Sequence, residues 1–341
     1  MSWWDGGEDD PESFDAWDET DVRVRPNPKA NRPRTKTRPA HDDAVEARVL
    51  SVDRGRYTVL VDGDTPAEHT ATATRARELR DQAIVTGDLV DVVGDASGED
   101  GTLARIVRIR PRRTLLRRSA DDTDAVERVI VANADQLMIV VAAANPEPRP
   151  RLVDRYLVAA FDAGIRPFMV VTKTDLADPA PFLANFAGLD IPVVHSARGA
   201  WPLDELAPLL AGRTTVAVGH SGVGKSTLVN ALVPGTDRAT GVVNAVTGRG
   251  RHTSSSTLSL RVPTGGWIID TPGVRSFGLG HVDPTNILRG FPDLDAVAED
   301  CPRGCTHLAD APDCALDEAQ ARGELDPARL DSLRRLLGSL G

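Results

Sequence analysis

The chain has 341 residues, with 40 Lys and Arg against 50 Asp and Glu and a net charge of −10. That length supports two or three domains with sizeable cores, and the acidic balance excludes a protein that coats nucleic acid through its overall charge, so any such contact has to come from a local patch. The longest apolar run, 137–144, is too short to cross a bilayer, and acidic first residues without an apolar signal core point to a cytoplasmic protein with no membrane partner.

Residues 1–21 carry nine acidic side chains and no basic one, and 22–40 carry seven Lys or Arg and no acid, with Pro26, Pro28, Pro33 and Pro39 between them. Like-charge blocks with prolines cannot bury a core, so 1–43 reads as a disordered charged tail. Its basic half either touches RNA or folds loosely onto the acidic half. From Val45 the pattern changes to short alternating runs, 45–50, 57–61, 89–93 and 103–107, punctuated by Gly55, Gly63, Gly87 and Gly101. Four or five short strands in 44–112 make a small closed barrel, SH3-like or OB-like. Arg105, Arg108, Arg110, Arg112, Arg113, Arg117 and Arg118 then form an unopposed basic stretch. It reads as an RNA-facing edge of an OB-like barrel, or as a solvated linker.

A βα alternation follows: strand 137–141, helix 151–163 and a buried strand 167–171 that ends in Thr172, Lys173, Thr174 and Asp175. In P-loop GTPases the corresponding tetrad is usually Asn-Lys-x-Asp, where the acid accepts from guanine N1–H and the 2-amino group. Asp175 is therefore the candidate for guanine selection, and Thr172 in place of Asn is expected to loosen the loop. Strand 191–194 ends in Ser196, Ala197 and Arg198, which resembles the backbone loop that contacts guanine O6.

Gly219, His220, Ser221, Gly222, Val223, Gly224, Lys225, Ser226 and Thr227 fit G-x-x-x-x-G-K-[ST] between a strand at 214–218 and a helix at 226–232. Small residues let successive N–H groups face a phosphate, Lys225 reaches the outer phosphates, and the Ser226 hydroxyl can bind Mg²⁺. Among the 40 basic residues only Lys29, Lys36, Lys173 and Lys225 are lysines. Two of the four fall in these motifs, where a compact ammonium fits and a planar guanidinium does not.

Residues 248–256 form a polar Gly/Arg/Ser/Thr stretch suited to a switch loop. Thr253 is the preferred Mg²⁺-facing hydroxyl there, with Ser254 and Ser255 as rivals. Strand 267–270 ends in Asp270, Thr271, Pro272 and Gly273, a D-x-x-G element in which Asp270 holds Mg²⁺ through water and the Gly273 N–H senses the γ-phosphate. The tetrad and the Ser-Ala segment precede the phosphate loop, the reverse of the ordinary order. A doubly wound sheet with neighbouring termini tolerates that circular permutation. Val274 stands where Ras-like enzymes carry a water-orienting Gln, so His252 in the polar stretch is the candidate catalytic group.

Cys301, Cys305, His307 and Cys314 include all three cysteines of the chain. Three thiolates and an imidazole at this spacing match a closed, structural Zn²⁺ site, and helices 317–322 and 327–337 complete a small C-terminal module.

A permuted GTPase between an OB-like barrel and a Cys/His module resembles the bacterial RsgA family of GTPases that depend on the small ribosomal subunit, over about residues 45–340. The resemblance implies an α/β fold: a circularly permuted P-loop GTPase domain at 113–285, the N-terminal barrel, and a zinc-binding helical domain at 286–341. It implies GTP hydrolysis stimulated by the 30S subunit, a role in late 16S rRNA maturation, and GTP, Mg²⁺ and zinc as ligands; a monomer is expected. By position, 172–175 would read guanine, 219–227 would hold phosphates, and Cys301, Cys305, His307 and Cys314 would bind zinc. The family usually has four residues between its first two cysteines, and this chain has three. Two other readings stay open: an adenine-specific P-loop ATPase or kinase, which Asp175 opposes, and a nucleotide-gated rRNA-binding scaffold whose hydrolysis is incidental.

Overall fold

Alternation of apolar and polar side chains gives the first strands one buried face each. These are β1 (Val45–Asp53), β2 (Arg56–Val61), β3 (His69–Arg75), β4 (Leu89–Gly94) and β5 (Ala104–Ile109). They pair in the order 1-2-3-5-4, and β1 closes the cylinder on β4. β3 and β5 are parallel while the other pairs are antiparallel. That order is the five-stranded Greek-key barrel of OB folds, which decides between the two barrels expected. A bulge between Val49 and Ser51 bends β1, so that one strand serves both β2 and β4. The computed structural model describes residues 41–118, 128–235, 257–271 and 278–340, and Asp43–Gly341 forms one unit.

The arginine stretch leaving the barrel is not unopposed. Arg108 and Arg110 pair with Asp91 at 2.8 and 2.7 Å, Arg112 with the fully buried Asp88 at 2.7 Å, and Arg113 with Asp135 at 3.0 Å. The acids come from β4, from the turn before it and from the sheet beyond, so no local window of sequence contains both partners.

A two-stranded ribbon, β6 (Leu115–Arg118) with β7 (Arg128–Ala132), leads into the second sheet. There β8 (Gln136–Ala142), β9 (Arg166–Thr172), β10 (Val193–His195), β11 (Arg213–Val218) and β13 (Gly266–Asp270) run parallel in the order 10-9-8-11-13. β12 (Leu258–Arg261) lies antiparallel beside β13 and touches β1. Every residue of β8 is buried, as expected for a central parallel strand covered on both faces. Met138, Val140 and Ala142 face the helices α3 (Leu203–Leu210) and α4 (Lys225–Leu232). Leu137, Ile139 and Val141 face α1 (Pro150–Asp162). α2 (Ala180–Leu183) is a single turn after β9.

The C-terminal helices are α5 (Pro284–Leu288), α6 (Pro292–Ala298), α7 (Ala315–Ala321) and α8 (Pro327–Gly338). Asp283 and Asp326 cap α5 and α8 by accepting from Thr285 N and Ala328 N, each just before a proline. Leu330, Leu333 and Leu336 of α8 share a core with Val153, Tyr156 and Leu157 of α1. Arg335 pairs with the buried Asp154 at 3.2 Å across the same contact. Among the described residues no helix is long and apolar enough to cross a membrane.

Candidate functional site

Parallel strands deliver all their carboxyl ends to one edge, and loops there form the crevice that α/β sheets use for ligands. The loop 219–227 lies at that edge between β11 and α4, which begins at Lys225. Its glycines are needed for shape. Gly222 and Gly224 have φ of +83° and +93°, and a Cβ on Gly219 would lie 2.5 Å from the Val140 carbonyl.

Thr172 ends β9 and Lys173 follows with φ of +58°. This left-handed turn costs a lysine about 1 kcal/mol and sends its stem back over the loop. Lys173 Nζ donates to the Gly222 carbonyl at 2.8 Å and to the carbonyl of Asn145. The Thr172 hydroxyl, 2% exposed, donates to Val223 O at 2.5 Å and lies 3.3 Å from Val141 O. The hydroxyl at 172 thus ties the 172–175 segment to the backbone of the 219–227 loop. Thr174 N donates to Ser196 O at 3.2 Å, and Ser196 N donates to Val171 O at 2.8 Å. Asp175 accepts the Arg198 N–H at 3.0 Å, and a carboxylate has further acceptor capacity toward a base. Ala197 bridges Ala200 in the same turn, directly after β10.

Asp270 is the last residue of β13, and its buried carboxylate accepts from the Nζ of the partly buried Lys225. The Thr271 hydroxyl donates to Ala217 O at 2.8 Å, fastening this end of β13 to β11. Lys225 and Ser226 at the start of α4 and Asp270 at the end of β13 thus offer an ammonium, a hydroxyl and a carboxylate. The two oxygen groups are hard donors of the kind Mg²⁺ takes. His220 Nδ1 lies 2.9 Å from Ser221 O, within its own loop. His252, Thr253 and Gly273 lie outside the described residues.

The second cluster lies in the C-terminal helices. Ligand atoms of Cys301, Cys305, His307 and Cys314 all fall within 4.8 Å of one another. Cys301 Sγ lies 3.6 Å from His307 Nδ1 and 4.0 Å from Cys314 Sγ, while Cys314 Sγ lies 3.9 Å from His307 Nδ1. A tetrahedral Zn²⁺ with ordinary bond lengths has ligand–ligand edges of about 3.5–3.8 Å, so this donor set fits such an ion. Three residues between the first two cysteines suffice. Cys305 N closes a turn on Pro302 O at 3.1 Å, and Gly304 and His307 take φ of +80° and +57°. Burial pushes the Cys314 thiol up to about 11. His307 is held below its ordinary value by burial and by the charge of Arg334, which favours the neutral imidazole that binds metals.

Several contributors have no local signature. Asn145 precedes Lys173 by 28 residues and receives its ammonium. Arg334 donates to His307 O at 3.1 Å and to both oxygens of Asp317 at 2.8 Å, bracing the metal-type cluster from α8.

Residues 109–280 match the model of the RsgA GTPase family. The Small ribosomal subunit biogenesis GTPase RsgA of Pseudomonas aeruginosa is 41% identical over 266 residues, covering 76% of this chain and 76% of that protein. The protein of the same name from Azotobacter vinelandii is 40% identical over 266 residues, covering 76% of this chain and 75% of its own. In fold, the chain resembles YjeQ from Thermotoga maritima, with a TM-score of 0.61 and 24% identity over 87% of this chain and 98% of that one. It also resembles YloQ, described as a circularly permuted GTPase, with a TM-score of 0.62 and 24% identity over 89% and 97% of the two chains. The chain belongs to the RsgA GTPase family.

Proposed function

We propose that this protein is a GTP hydrolase of small-ribosomal-subunit biogenesis, binding the 30S subunit through 16S rRNA in the cytoplasm and acting as a monomer. The observation that carries the reading is the direct tie between the base-reading and phosphate-binding segments, Thr172 to Val223 O and Lys173 to Gly222 O. Asp175 accepts from guanine N1–H and the 2-amino group, a pair that adenine lacks. Ser196 and Ala197 shape the turn against the base. Lys173 lays its stem along the ring. The 219–227 backbone and Lys225 hold the phosphates, and Lys225 leaves Asp270 to do so.

Mg²⁺ bound by Ser226, Thr253 and, through water, Asp270 would offset charge on the β- and γ-phosphates. Water attacks the γ-phosphorus in line, the bond to the β–γ bridging oxygen breaks, and GDP leaves with that electron pair. His252 orients the water and accepts its proton, and the Gly273 N–H faces the γ-phosphate. Zinc held by Cys301, Cys305, His307 and Cys314 would be structural, since four protein ligands leave no open position.

The test is competition binding with GTP, GDP and ATP, followed by cosedimentation with 30S subunits in a non-hydrolysable GTP analogue. Selective guanine binding and cosedimentation are expected. Equal affinity for ATP, or no association with subunits, would contradict the proposal.

A further inference from the structure

The hairpin β12–β13 places Arg261 directly opposite Trp267 and Leu258 opposite Asp270. The barrel continues this sheet: Ser51 of β1 pairs with Leu258. Asp270, Leu258 and Ser51 therefore stand in one row across three strands. The Thr86 hydroxyl donates to the carbonyl of Thr257 at 3.4 Å, at the entrance to β12.

Two guanidinium groups converge on the Trp267 ring. Arg48 of β1 lies 5.0 Å from its centroid and Arg261 lies 4.8 Å from it. Such contacts gain strength where water is excluded. Arg261 is held in turn by the barrel, pairing with Asp64 at 2.6 Å and with Glu68. Arg48 Nη2 donates to the Thr214 hydroxyl at 3.0 Å on β11, beside Trp267. Arg48 Nε is buried with no hydrogen-bond partner among the described residues, and burial lowers the Arg48 guanidinium to about 10. A buried guanidinium so incompletely paired costs stability. Its contacts link β1 to Thr214 of β11 and to Trp267 of the strand that carries Asp270.

We propose that Arg48, Trp267 and Arg261 form a joint through which the barrel positions the β12–β13 hairpin, and with it Asp270, so that occupancy of the barrel sets the rate of GTP hydrolysis. This rests on the functional reading above, that the chain is a GTPase that binds the 30S subunit, and takes the barrel as one of its contacts. The three side chains are positioning residues. Arg261 and Trp267 lie at the far end of the hairpin from Asp270, Arg48 reaches them from β1, and all three act through the hairpin's register.

Trp267→Leu removes the ring face, and Trp267→Phe retains one. The double variant Asp64→Asn/Glu68→Gln weakens the joint from exposed positions that should not endanger folding. Steady-state hydrolysis is measured over a range of GTP concentrations with and without 30S subunits, alongside 30S affinity. The 30S-stimulated kcat should fall by about tenfold or more in Trp267→Leu and less in the double variant, since small misplacements are costly. KM for GTP, the basal rate and 30S affinity should stay within about twofold of the parent, as expected when uniform binding is untouched. Trp267→Phe should recover most of the rate. A stimulated kcat equal to the parent in both Trp267→Leu and the double variant would overturn the joint, as would lost 30S affinity with kcat unchanged.

Hydrogen exchange supplies an arm that needs no ribosome. Exchange in β1 and 84–88 should differ between GDP and a non-hydrolysable GTP analogue in the parent, and that difference should vanish in Trp267→Leu. Absence of stimulation in the parent would overturn the functional reading, and the exchange measurement then still judges the joint. No nucleotide-dependent exchange at β1 in the parent would overturn it.

Discussion

Replacing Thr172 by Val tests whether the 172–175 and 219–227 segments, proposed to read the base and hold the phosphates, form one unit. The side chain keeps its volume and loses the hydroxyl that donates to Val223 O at 2.5 Å from a site 2% exposed. A buried carbonyl left without its donor costs about 1–3 kcal/mol. The longer contact to Val141 O, 3.3 Å, adds little. Val223 is itself 3% exposed, so its carbonyl cannot turn to water without moving Gly222 and Gly224. If that cost falls mainly on the nucleotide-binding shape proposed for the loop, GTP affinity drops by about 5- to 150-fold. If it falls on the fold, the urea midpoint drops instead. We expect the affinity loss to exceed the stability loss, and Thr172→Ser to restore affinity. Titration with a fluorescent GTP analogue and urea denaturation of the same samples separate the two. Unchanged affinity in Thr172→Val would refute the tie.

Asp175→Asn replaces an acceptor with an amide whose donor faces guanine N1–H. GTP affinity should fall by roughly 2 kcal/mol of binding free energy, and xanthosine triphosphate affinity should rise in the same competition assay. His252→Ala should keep GTP and 30S binding while losing about 10²-fold or more of stimulated kcat; full retention would move the catalytic group elsewhere. Metal analysis should find one zinc per chain by the Cys₃His donor set. Chelation should raise hydrogen exchange in α7 and α8, whose Leu316 and Leu330 share a core with Cys314, while β8 to β11 stay protected. Protection of α7 and α8 that survives complete metal removal would contradict the structural role.

What the sequence makes legible follows from contiguity. Glycine turns and Cys/His clusters need particular residue types at short, fixed spacing, so the turn at 219–227 and the cluster at 301–314 could be read directly. The permuted order was legible for the same reason. The barrel was legible as alternation, but its strand order was not, because the β3–β5 pairing is a long-range choice. β3 itself gave little signal, since its buried positions are Ala71 and Ala73. The arginines after the barrel looked unpaired because Asp88 and Asp91 precede them by about a strand and a turn. Thr172 looked like a weakened motif because its acceptor, Val223 O, lies 51 residues later. The contacts of Arg48 and Arg261 with Trp267 join three strands and left no local trace.

The central claim is that this chain is a GTPase whose turnover belongs to small-subunit assembly. The most direct measurement is phosphate release from GTP by the purified, zinc-replete chain, alone and with increasing 30S subunits, with 50S subunits as the control. Intrinsic hydrolysis should be slow, because Val274 offers no group to orient water, and 30S but not 50S subunits should accelerate it saturably. Hydrolysis that is fast alone, or equally stimulated by 50S subunits, would contradict the claim.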